Sequence, residues 1–177
     1  MFICVGLKSN HSVVKFTSNS ELTIKGKSNV NAFECKYNTT YLTKEKIAVE
    51  LTKNKSKLKF KGAKINIKSD GFDCANKLIT KDLKSLLKSN TYNYITITLK
   101  ELEENKYNYN AKIDVKIAGV EKEYIMPVTF NEKNLNVKGN LNIDIKDFKL
   151  KTPKKLLGII KVDDTVAIDF NLFLLYN

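Results

Sequence analysis

From Tyr107 to Asn177 the apolar residues recur at every second position. Leu135, Val137, Gly139, Leu141, Ile143 and Ile145 alternate with Asn136, Lys138, Asn140, Asn142 and Asp144. Successive side chains of an extended chain point to opposite faces, so this segment presents one apolar and one polar face. Read along the whole chain, the pattern predicts strands over 12–18, 20–26, 32–39, 45–52, 57–68, 94–102, 107–118, 121–130, 135–146 and 164–175. One segment switches period. Leu78, Ile79, Leu83, Leu86 and Leu87 share a face at helical spacing, with Lys77, Lys81, Lys84 and Lys88 opposite and Asn76 as cap, which predicts a helix over 76–88. The turns Glu103-Glu104-Asn105, Ala118-Gly119-Val120 and Asn131-Glu132-Lys133-Asn134 reverse the chain within a few residues, so consecutive strands form a meander. The expected fold is all-β: an antiparallel up-and-down barrel of about eight strands with one amphipathic helix.

Two irregularities refine this expectation. Within 57–68 the apolar parity shifts between Leu58 and Phe60 on one side and Ile65 and Ile67 on the other, so a bulge at Gly62-Ala63 is needed to keep one face inward. Pro127 lies inside a strand although it has no N–H to donate, so it is expected to face an unpaired edge or a bulge, a place where the barrel is incompletely zipped. Extending the inward parity gives Ile95, Ile97 and Leu99, then Ala111, Ile113, Val115 and Ile117, then Tyr124, Met126, Val128 and Phe130, then Val166, Ile168, Phe170 and Leu172. A barrel of this size either fills itself with side chains or encloses a small apolar ligand. The candidate lumen lining is Phe60, Ile97, Leu99, Ile113, Val115, Tyr124, Met126, Phe130 and Phe170.

Length and composition narrow the function classes. The 177 residues form one domain, 12–177, behind an N-terminal segment 1–11 whose apolar start is either a signal-peptide remnant or an ordinary first strand. No apolar run approaches the roughly 20 residues of a membrane helix. The net charge is +12, yet every one of the 31 basic residues is Lys, and base readout relies on the Arg fork that Lys lacks. Nucleic acid is therefore not the expected partner; a solvated outer barrel face, with weak attraction to anionic membrane surfaces, is. Cys35 and Cys74 are either a disulfide closing a loop of about 40 residues or two buried thiols, and Cys4 stands apart near the start. With a single His, no CxxC spacing and no Ser/His/Asp or paired-carboxylate pattern, the sequence offers no metal site, no cofactor site and no catalytic residues.

The segment Val115 to Phe130, with Gly119, Val120 and Pro127-Val128-Thr129-Phe130, is followed by Gly139-Asn140-Leu141-Asn142-Ile143, Lys146-Asp147-Phe148 and Val162-Asp163-Asp164-Thr165-Val166-Ala167-Ile168. This succession resembles the YceI-like family: a Gly-Val hairpin, a Pro-Val-Thr-Phe strand, a Gly-containing strand, an Asp-Phe step and a closing Val-x-Asp-x-Val strand. Lys57 to Ile67, the helix and Tyr94-Ile95-Thr96-Ile97 extend the resemblance over roughly residues 20 to 176. It departs where the family commonly has Pro at Asn93-Tyr94 and a dibasic or Arg-bearing step at Asp144-Ile145-Lys146. The resemblance implies a lipocalin-like barrel, periplasmic or secreted from a bacterium, that holds a polyisoprenoid or other long-chain lipid in its lumen and is not an enzyme. The alternative left by the residues is a barrel with a packed interior that meets a partner through its Lys-rich surface or a strand edge near Pro127.

Overall fold

In the computed structural model the described residues are 9–152 and 161–176. Cys4 and the rest of 1–8 lie outside them. The strands are β1 (Ser9–Phe16), β2 (Glu21–Lys27), β3 (Ala32–Tyr37), β4 (Ile47–Asn54), β5 (Lys57–Lys61), β6 (Lys64–Lys68), β7 (Phe72–Asp73), β8 (Tyr94–Glu104), β9 (Tyr109–Ile117), β10 (Val120–Asn131), β11 (Asn136–Asp144) and β12 (Thr165–Tyr176), with one helix, α1 (Lys77–Leu86). Eight strands close a ring in the order β1-β4-β5-β8-β9-β10-β11-β12, and β12 returns to β1. Every ring contact is antiparallel. Closure removes the edges along the ring itself, while among the described strands β6 pairs only with β8 and β7 only with β3.

The remaining strands lengthen staves of this ring. β1 and β2 both run along β12, at Phe16↔Leu174 and Glu21↔Asn171, so residues 9–27 act as one long stave broken at 17–20. At the break, Thr17 N–H donates to the Phe173 carbonyl at 2.9 Å, and the buried Ser20 hydroxyl accepts from Phe173 N–H at 3.0 Å. β3 and β4 pair with β2 and β1 in the same way, separated by a 3-10 turn at Thr39–Lys44. β5 and β6 form the third stave, bent at Gly62, whose φ of +83° lies in the left-handed region that glycine tolerates. That bend keeps Leu58 and Phe60 on the same inward side as Ile65 and Ile67, as the register to Leu102, Leu51, Ile97 and Ile95 shows.

One end of the barrel is plugged. The 69–93 connection carries α1 there, and buried Leu83 and Leu87 join Ile95, Ile117, Phe148 and Leu150 in one apolar cluster. Asn76 caps the helix by accepting from the N–H groups of Leu78 and Ile79 at 2.9 and 3.2 Å. A disulfide links Cys74, just ahead of this helix, to fully buried Cys35 on β3. The hairpin at this end uses Ala118 and Gly119, with φ of +48° and +83°, the pair of positive values a tight twisted turn requires.

The structure differs from the periodicity at several boundaries. β1 starts at Ser9, earlier than the expected 12, because its ladder to β4 continues to Ser9↔Thr52. The expected strand 32–39 stops at Tyr37, where Asn38 caps the 3-10 turn. Glu103 and Glu104 stay in β8 instead of turning, since they still pair with Asn110 and Tyr109; the reversal uses Asn105 to Asn108, closed by the Asn105 side chain.

Candidate functional site

The inner face of the ring is the candidate site. Register places all nine lining candidates on it: Ile97 opposes Val115, Leu99 opposes Ile113, Ile113 opposes Tyr124, Met126 opposes Ala111, Phe130 opposes Val137, Phe170 opposes Gly139, and Phe60 opposes Leu51. The nine lining candidates left out Val49 and Leu51 on β4, Leu141 on β11, whose apolar face the alternation had marked, and Leu174 at the end of β12. Ser12 on β1 and Lys122 at the start of β10 interrupt the apolar parity.

Burial divides this wall in two. Ile113, Val115, Met126 and Val128 on β9 and β10 are buried. Ile97, Leu99 and Leu102 on β8, Phe60 on β5, Leu51 on β4, and Val166, Ile168, Phe170, Leu172 and Leu174 on β12 point inward yet are only partly buried. Close-packed interiors leave almost no accessible area, so these inward side chains are not fully covered by the packing around them. The uncovered apolar surface thus runs along β4-β5-β8 on one side and β12 on the other.

Gly139 helps keep that space. A Cβ built there would lie 2.5 Å from Phe170 Cζ and 2.9 Å from Met126 Cε. The Phe170 ring therefore folds over the glycine onto the β11 wall instead of crossing the lumen. Phe33 lies over Gly26 in the same way, with Cζ 2.3 Å from the position a Cβ would take.

Pro127 marks a flare in the wall. The β10–β11 ladder runs only from Val128↔Gly139 to Asn131↔Asn136, and the missing proline N–H faces the next rung. Above it the 3-10 turn Ile145–Phe148 packs on β10: the Tyr124 ring stacks on buried Phe148 at 6.3 Å between centroids, and its hydroxyl donates to Asp147 Oδ2 at 3.2 Å. Burial, then the charge of Asp147, pushes the Tyr124 phenol up to about 12 from 10.0. A raised phenol contributes stability that is complete below pH 10 and is lost between about 10 and 12 as the unfolded chain ionises first. Tyr124→Phe should cost about 1 kcal/mol at neutral pH and flatten that alkaline decline, as urea unfolding at neutral and alkaline pH would show.

The ion pairs lie on the outside. Lys25 pairs with Asp169 at 2.6 Å, Lys57 with Glu101 at 2.9 Å, Lys100 with Asp114 at 2.7 Å and Lys112 with Glu123 at 3.1 Å, all on outward positions. The Lys25 ammonium, with Asn140 second, holds the Asp169 carboxyl below its ordinary value. No group of three or more His, Cys, Asp or Glu gathers at a metal-binding spacing among the described residues.

An eight-stranded up-and-down barrel plugged at one end by a helix, with partly uncovered apolar walls, belongs to the class of barrels that can enclose a ligand. The YceI-like domain model matches residues 6–174, and the chain belongs to that family. Among solved structures it is similar to BcnA of Burkholderia cenocepacia, with 20% identity over 88% of this chain and 96% of that one at a TM-score of 0.66. The YCEI protein of Campylobacter jejuni aligns at 17% identity over 97% of this chain and 86% of that one, with a TM-score of 0.46. No curated protein matches the chain. The YceI-like family comprises binding proteins.

Proposed function

We propose that this protein binds a long apolar or amphipathic lipid of the polyisoprenoid type in its barrel lumen, without catalysing a reaction on it. The observation that carries this reading is the set of inward yet partly uncovered side chains on β4, β5, β8 and β12. At about 0.8 kcal/mol per buried CH₂, a few isoprene units supply enough transfer free energy to outweigh the cost of association. A wall with almost no polar group distinguishes chain length poorly, so ligands of several lengths should compete. The Cys35–Cys74 disulfide supports a periplasmic or secreted location, where such bonds persist.

Native mass spectrometry of gently purified protein should show an apolar adduct that organic extraction removes. Ile97→Asp, which puts a carboxylate on the uncovered β8 wall, should weaken binding of a fluorescent prenol by about tenfold or more while circular dichroism stays β-rich. A protein that takes up no apolar probe would instead be the packed, surface-interacting barrel.

A further inference from the structure

With α1 and Phe148 plugging one end, the opposite rim is the candidate entrance to the lumen. That rim is formed by the β4–β5 turn at 55–56, the β8–β9 turn at 105–108, the β10–β11 turn at 132–135 and the end of β12. It carries four large apolar side chains that remain in solvent: Tyr107 is 81% exposed, Tyr176 62%, Leu175 55% and Phe130 37%. Such exposure gathered in one place marks a contact surface, and tyrosine is suited to a lipid–water boundary because its ring is apolar and its hydroxyl wet.

The same rim carries Lys53, Lys55, Lys106 and Lys133 against Glu104 and Glu132. None of these four lysines takes part in the ion pairs among described residues, while Lys57, beside the 55–56 turn, is held by Glu101 and Glu103. Lys106 Nζ stands 5.2 Å from the Tyr107 ring centroid, joining cation and apolar ring in one tip. Each lysine brought to an anionic lipid surface strengthens binding roughly fivefold. A ligand with a long hydrocarbon chain hardly dissolves, so a rim of this chemistry can take it up directly from the bilayer.

We infer that the open rim docks on an anionic lipid bilayer, with Tyr107, Phe130, Leu175 and Tyr176 at the interface and the unpaired lysines over the headgroups, and that the ligand passes there without crossing water. This rests on the lumen reading above. The test follows transfer of a fluorescent prenol from the loaded protein to vesicles of phosphatidylglycerol and phosphatidylcholine, or of phosphatidylcholine alone. The transfer rate should rise in proportion to the concentration of anionic vesicles and fall about tenfold with Tyr107→Ser/Tyr176→Ser or Lys55→Glu/Lys106→Glu/Lys133→Glu. Lys77→Glu/Lys81→Glu/Lys84→Glu, which reverses the other concentration of charge on α1, should leave it unchanged. A rate independent of vesicle concentration, or one sensitive to the α1 variant and indifferent to the rim, would overturn the inference. Uptake of a short soluble fluorescent fatty acid, measured without vesicles, separates the two claims: if wild type does not bind it, the lumen reading fails; if it binds but the rim variants transfer normally, the docking alone fails.

Discussion

Replacing Gly139 with Val is expected to weaken lipid binding about 100-fold. The new side chain takes the place where Phe170 Cζ and Met126 Cε now lie, 2.5 and 2.9 Å from the would-be Cβ, so the ring must swing off the β11 wall into the lumen. A phenyl ring there excludes the equivalent of about four ligand methylenes, worth roughly 3 kcal/mol at the ordinary transfer value. Valine suits an extended strand, but crowding the wall should still cost about 1–3 kcal/mol of stability. Prenol titration and thermal unfolding measure the two effects separately. The decisive variant is Gly139→Val/Phe170→Ala, in which the space returns: its affinity should recover to within a few fold of wild type. Recovery of neither single effect would mean that Phe170 does not govern the lumen.

Cutting the Cys35–Cys74 bond is expected to produce the largest loss of stability of any single covalent change. The bond closes a loop with a sequence separation of 39, and constraining a loop of that length in the unfolded chain is worth about 4 kcal/mol on the chain-entropy model. For a chain of this size each kcal/mol moves the midpoint by about 2–4 °C, so Cys35→Ala/Cys74→Ala, or wild type in excess reductant, should melt roughly 8–16 °C lower in scanning calorimetry. The loss should concentrate at the plugged end, since Cys74 leads into α1 and Cys35 anchors it to β3. Hydrogen exchange should accelerate first at Leu83 and Leu87 and later at Val115. An unchanged midpoint would show that the packing of the helix holds this end alone.

Much of this architecture was legible in the chain. Alternation is a local code: Ala111, Ile113, Val115 and Ile117 on one face and Lys112, Asp114 and Lys116 on the other satisfy a half-buried strand wherever the strand ends up. The helix was equally local, with its apolar stripe and the Asn76 cap inside one short segment. The parity break before Ile65 and the lone Pro127 correctly marked the bend at Gly62 and the flare beside β11, because each is a backbone constraint carried by a single residue. Asn105 was misjudged as the end of a turn instead of its start, since Glu103 and Glu104 have no strand signal of their own and are held in β8 by Asn110 and Tyr109.

By itself, then, the sequence determined which residues are strand, which is helix and which side of each strand shuns water, because those properties depend on neighbours one to four positions away. Only the tertiary structure decided that β12 closes onto both β1 and β2, that Cys35 meets Cys74, and that Phe170 lies back over Gly139 so the walls of β8 and β12 stay uncovered. Those outcomes join residues distant along the chain, and they depend on how eight tilted staves share one circumference. No local pattern contains that information.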